Sequence, residues 1–200
     1  MFVLSEPTDA AVGDLLANAA KSNFSYADVG ATSGKTPAGF NLDHNRVMIG
    51  RGPDDFEKAK NAFRSWKMFD FDWVRLVRTD TPIEEGRTVA MIVRHFGFYS
   101  MSSARIVYVI DDLERRFGFA YGTLAEHVEM GEERFSVEFD AETEEVWYDL
   151  LAFSRPKALF AKLGYPISRY LQRSFVRDSK AAMLRAVNSN DIEPGQNRER

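Results

Sequence analysis

Apolar residues recur at helical spacing near the start of the chain, at a spacing of two through its middle, and at helical spacing again near its end. In residues 8–20, Val12, Leu15, Leu16 and Ala19 form a stripe behind a capping Asp9, which predicts a short helix. Residues 45–51 predict a first strand. Gly52-Pro-Asp-Asp55 then opens a helix, because Pro suits the first helical position and carboxylates suit the positive end of the helix dipole. Phe56, Ala59, Phe63 and Trp66, three and four apart, give that helix its buried side, with Trp66 as a core anchor. From residue 71 the alternation predicts strands over 71–78, 87–96, 104–111, 115–123, 133–140 and 145–153. Phe135, Val137 and Phe139 alternate with Arg134, Ser136 and Glu138, which predicts one buried face and one wet face. Strand 104–111 is apolar on both faces apart from Arg105, so it belongs in a central or covered position. A short helix is expected over 157–163, and a longer one from Pro166 to about Val187. The order of elements is that of an α+β domain.

Within the strand region, Arg116-Phe-Gly-Phe-Ala-Tyr-Gly-Thr-Leu124 has two unlike faces. Phe117, Phe119, Tyr121 and Thr123 share one. Gly118, Ala120 and Gly122 share the other, which is nearly bare. Such a strand bends sharply, or lets another backbone or a ligand come close.

Composition narrows the chemistry. The chain has 200 residues, 44% hydrophobic, with sixteen Phe, enough for one domain with its own core. A net charge of -4 argues against a general nucleic-acid binder, which needs a basic surface. The absence of Cys removes disulfides and thiolate sites, and three scattered His make a His-based metal site unexpected. No cofactor is implied. The first residues lack the charged-then-apolar pattern of a signal peptide, and no apolar run is long enough to span a bilayer. The expectation is a cytoplasmic protein with no stable membrane insertion.

Gly30-Ala-Thr-Ser-Gly-Lys-Thr36 resembles a phosphate-binding loop one residue short, its first required Gly falling on Val29. Pro37 and Gly39 follow where that motif needs a helix, so an ordinary surface loop is expected.

Helix, strand, helix, a run of antiparallel strands and a long last helix together resemble the helix-grip fold of the START and Bet v 1 superfamily. In that fold a curved antiparallel sheet, here of about seven strands, grips the C-terminal helix around a cavity. The chain also resembles a narrower family, the DUF1990 (UPF0548) proteins. The motifs are Tyr26–Thr32, Arg64-Ser-Trp-Lys-Met-Phe69, Arg116–Leu124, Gly131-Glu-Glu-Arg-Phe135, Ala152-Phe-Ser-Arg-Pro156 and Arg169–Ser179. On this resemblance residues 1–23 form a helical extension, 24–187 the helix-grip domain and 188–200 a disordered tail.

The resemblance implies a pocket for an apolar or lipid-like small molecule. Phe117, Phe119, Tyr121, Phe135 and Trp147 are its candidate wall, and Asp178, Arg105 or Arg155 would orient a polar end. Tyr121 reads first as a core residue whose hydroxyl meets a backbone group, and second as a group facing the cavity. Arg105 and Arg155 read first as partners of Glu132 or Glu133, and second as an anion site. Ser174 and Asp178, four apart, share the helix side expected to meet the sheet, where a polar pair needs a partner. Glu126-His-Val-Glu-Met-Gly-Glu-Glu133 reads as a solvated hairpin loop; the alternative is acid–base work. Arg169, Arg173, Arg177 and Lys180 read as a solvated basic stripe, or as a surface for an anionic membrane or acidic partner. Two other functions stay open: a cyclase or hydrolase using Tyr121, His127 or Asp178, and a homodimeric interaction protein whose apolar strands, such as 104–111, form the contact.

Overall fold

The structure is a computed structural model that describes residues 2–77, 79–112, 114–127, 129–157 and 165–189. In chain order the elements are β1 (Phe2–Val3), α1 (Asp9–Lys21), a 3-10 turn (Ala31–Ser33), β2 (Asn41–Arg51), α2 (Gly52–Arg64), a second 3-10 turn (Lys67–Phe69), β3 (Val74–Val77), β4 (Thr88–Arg94), β5 (Tyr99–Asp112), β6 (Arg116–Thr123), β7 (Glu129–Asp140), β8 (Glu145–Pro156) and α3 (Tyr165–Asn188). The expected short helix over 157–163 and most of the expected tail lie outside the described residues.

Local chemistry sets the element ends. Thr8, not Asp9, caps α1, its hydroxyl accepting from the Ala11 amide at 3.3 Å. Asp55 accepts from the Arg51 amide at 3.0 Å and closes the start of α2. That helix stops at Arg64, and Trp66 takes a left-handed conformation with φ of 54°. The turn drives the indole into the core, 5.0 Å from the Phe119 ring, where its Nε1–H donates to the Thr81 carbonyl at 2.9 Å.

The strands form one antiparallel sheet in the order β2-β8-β7-β6-β5-β4-β3, with β1 added beside β5. This is the expected curled seven-strand sheet closed by a C-terminal helix. Helices α2 and α3 cover its inner face. Phe63 from α2 sits edge-on to Phe117, Phe119 and Tyr148. From α3, Ser179 meets the Tyr148 hydroxyl at 2.8 Å, and Met183 and Val187 are buried. Helix α1 lies on the outer face instead, packing Val12 and Leu15 on Ala90, Ile92 and Met101. Burial of two or three such side chains contributes a few kcal/mol, enough to seat a short helix.

β5 is central, as its two-faced apolar pattern predicts. Its outer side meets α1 through Met101 and Arg105, and the loop before β2 through Tyr108. The apolar residues in the first half of the strand are therefore covered by the chain itself, while Val107 and Ile110 further along stay partly exposed.

The bare face of β6 is filled by the chain's own residues 24–33. A side chain at Gly122 would lie 2.1 Å from the Tyr26 hydroxyl, and one at Gly118 would lie 2.2 Å from the Phe135 carbonyl. The close approach expected there is made by the protein itself. The outer face of β7 is accordingly not wet throughout: Ser136 is fully buried and Arg134 is mostly covered.

Candidate functional site

A hollow of about 1460 Å³ lies between the inner face of the sheet and the first half of α3. Trp73, Val74, Met91, Val93, Leu171, Phe175 and Val176 give it apolar walls. Phe175 also joins the core aromatics, its ring 5.6 Å from Phe69 and 6.3 Å from Phe135, so the packed core forms one end of the hollow.

The polar residues gather where β2, β7, β8 and α3 meet. Alternation along β7 turns Glu129, Gly131 and Glu133 inward with Phe135 and Val137, against Pro156, Ser154 and Ala152 of β8. Arg169 holds Asp43 with two hydrogen bonds of 2.5 and 2.7 Å and also donates to Gln172. The Gln172 amide donates to Glu129 at 2.8 Å and to the Ser154 hydroxyl at 3.2 Å. This network ties the start of α3 to three strands and forms one wall of the hollow.

Glu133 lies beside the network. The Tyr121 hydroxyl donates to its Oε2 at 2.9 Å, and no other hydrogen bond reaches its carboxyl group among the described residues. Burial raises the Glu133 pKa to about 7, with the nearby Asp43 and Glu129 carboxylates pushing the same way against the Tyr121 bond. Burial, with the adjacent Glu133, pushes the Tyr121 phenol well up, so the phenol stays a donor. His127 lines the same hollow, and burial lowers its pKa below the ordinary imidazole value. The Glu129 amide donates to its Nδ1 at 3.1 Å. The arrangement offers a carboxyl group that accepts or donates a proton near neutrality, a phenol and an imidazole, facing an apolar space.

The other half of the Glu-Glu pair works on the opposite face. Glu132 accepts from the Tyr26 hydroxyl at 2.7 Å, the Gly30 amide at 2.7 Å, the Thr32 amide at 2.9 Å and the Thr32 hydroxyl at 2.5 Å. The loop that mimics a phosphate-binding motif thus cradles an anion after all, and the anion is a carboxylate of the same chain. It is no free surface loop.

The residues singled out from the sequence separate accordingly. Tyr121 faces the hollow. Phe117, Phe119 and Phe135 face the same way but are packed in the core beyond it. Trp147 lies on the outer face, with the Arg46 guanidinium 4.5 Å above its ring, because its neighbours Val146 and Tyr148 take the inward positions. Arg105 is also outward, opposite Gly122, and donates to the Ala19 and Ser22 carbonyls at the end of α1. Arg155 lies over the Phe40 ring and near the Met130 sulfur. Neither arginine pairs with Glu132 or Glu133, whose own partners are different. Ser174 is buried away from the hollow's wall, and Asp178 accepts from the Trp73 indole at 2.8 Å and from Arg177. Glu133, Asp43, Glu129, Gln172 and Ser154 were not expected as a cluster. The signal for Glu133 was its parity with Phe135, Val137 and Phe139.

The family model described as a domain of unknown function, DUF1990, matches residues 25–182. A UPF0548 protein of Dictyostelium discoideum is 36% identical over 95% of this chain and 97% of its own. One from Deinococcus radiodurans is 37% identical over 94% and 99%, and one from Arabidopsis thaliana is 38% identical over 76% of each. Human STARD10 superposes with a TM-score of 0.48 at 10% identity, over 92% of this chain and 82% of that one. The Panax ginseng major latex-like protein 151 gives 0.45 at 12% identity, over 75% and 99%.

Proposed function

The chain belongs to the DUF1990 family, and from its hollow we propose that it binds a small molecule with an apolar body and one polar end. The observation that carries this reading is the Tyr121–Glu133 pair, set at the edge of an apolar space of about 1460 Å³ with a carboxyl oxygen left to meet a ligand. Binding sites of this kind have apolar walls and a few placed polar groups. The apolar walls would hold the body, and Glu133, Tyr121 and His127 would orient the polar end. Phe117, Phe119 and Phe135 would support this wall from behind, while Trp147, Arg105, Arg155, Ser174 and Asp178 take no part. Placement inside the cell would suit a carrier or store of a metabolite.

Native mass spectrometry of protein purified from cells tests the proposal. A non-covalent adduct is expected, lost on denaturing extraction and absent from a Val176→Trp variant that fills the hollow. A clean mass for the wild type, with no shift on challenge by fatty acids, isoprenoids or flavonoids, would overturn it.

One observation favours a second reading, acid–base catalysis. Glu133, held near neutrality, shares the wall with a His127 kept neutral. Conversion of the co-purifying molecule by wild type but not by Glu133→Gln would select that reading.

A further inference from the structure

The tip of the β4–β5 hairpin carries Phe96, which is 93% exposed. The tip is braced beneath it. The His95 amide donates to the Phe98 carbonyl at 2.8 Å, the His95 and Phe98 rings stack 4.5 Å apart, and His95 Nε2 meets the Ser100 hydroxyl at 2.7 Å. Gly97, with φ of 93°, supplies the left-handed residue that the turn requires. Phe96 is therefore held out in water by a fixed turn.

His95 and Phe98 also line the hollow, and so do Arg173, Arg177 and Lys180 across from them on α3. Tyr170, Arg173, Arg177 and Lys180 lie three and four residues apart, so they form one helix stripe, and Tyr170 is 56% exposed. Arg177 is bound to Asp178, but Arg173 and Lys180 make no ion pair among the described residues. Of the carboxyl groups that line the hollow, Asp43 is engaged by Arg169, Glu129 by Gln172 and Glu126 by the Ser22 hydroxyl, while Glu133 sits against Tyr121. A local basic stripe on a chain of net charge -4 gives the molecule one side that anionic surfaces attract.

We propose that this rim docks on an anionic lipid surface, with Phe96 entering the headgroup layer and Arg173, Arg177 and Lys180 facing the lipid phosphates and carboxylates. A projecting aromatic on a rim that also carries a basic helix stripe is the composition that a charged bilayer surface holds. Docked in this way, the mouth of the hollow would face the membrane. The docking does not depend on what the hollow contains.

Co-sedimentation of the full chain with vesicles tests the proposal. The protein is expected to pellet with phosphatidylcholine vesicles containing phosphatidylserine, not with phosphatidylcholine alone, and to be released by salt. Phe96→Ser, and separately Arg173→Glu with Lys180→Glu, should each weaken binding by roughly tenfold. These positions are at the surface, so thermal melting should stay near that of the wild type. Equal pelleting with both vesicles, pelleting with neither, or undiminished binding of both variants would overturn the proposal. So would displacement from the vesicles by soluble glycerophosphoserine, which would mean that a headgroup pocket, not the surface, is recognised.

Discussion

Glu132 and Glu133 are neighbours on one strand and do opposite work. Glu132 points outward into four hydrogen bonds from a tyrosine, a threonine and two backbone amides, which bind the loop before β2 to the back of the sheet. Glu133 points inward, has one phenol for a partner, and faces a hollow. The first is a carboxylate used up by the fold. The second is a carboxyl group that the fold positions and leaves available. Function is therefore to be sought at the under-satisfied group, although both are acidic, adjacent and well covered.

The contrast can be broken most severely at Glu132. Glu132→Ala leaves four donors without their acceptor and frees the loop over residues 24–33. A loss of about 3–5 kcal/mol is expected in chemical denaturation. A variant less than about 1 kcal/mol below wild type would mean that the cradle is not a structural staple. The second break is steric. Gly122→Ala places a methyl group against the Tyr26 hydroxyl, so the loop must shift from its seat. A loss of about 2–3 kcal/mol is expected, with faster proteolysis of residues 24–33 and little change in the hollow. An unchanged melting temperature would show that the loop gives way at no cost.

Much of the fold was legible because its signals are local. Phe56, Ala59 and Phe63 announce α2, and the alternation around Phe135 announces β7 and its faces. The site was less legible because it depends on contacts distant in sequence. Strand parity alone puts Glu133 on the side of Phe135. Starting the strand at Glu133 and grouping both glutamates in an acidic loop concealed that. Arg105 could not be placed by parity, since the pairing of β5 with β6 shifts register between Ile106 and Tyr108. Its partners are the last carbonyls of α1, some eighty residues earlier in the chain. Nor does any local pattern reveal that the Gly30–Thr32 loop would find its anion in Glu132, a hundred residues away.

The most direct test of the central claim is the unfolding free energy of wild type and Glu133→Gln compared from pH 4 to pH 8. The folded protein holds the Glu133 proton up to about pH 7, whereas the unfolded chain releases it near 4.5. Between those values the native state binds more protons, so the glutamate's contribution to stability is fully present below about pH 4.5 and is lost as pH rises through about 7. The wild type should therefore lose ground to Glu133→Gln across that window, by at most about 3 kcal/mol and by less where water enters the hollow. A difference between the two proteins that stays constant with pH would contradict the account, placing Glu133 in an environment no different from water.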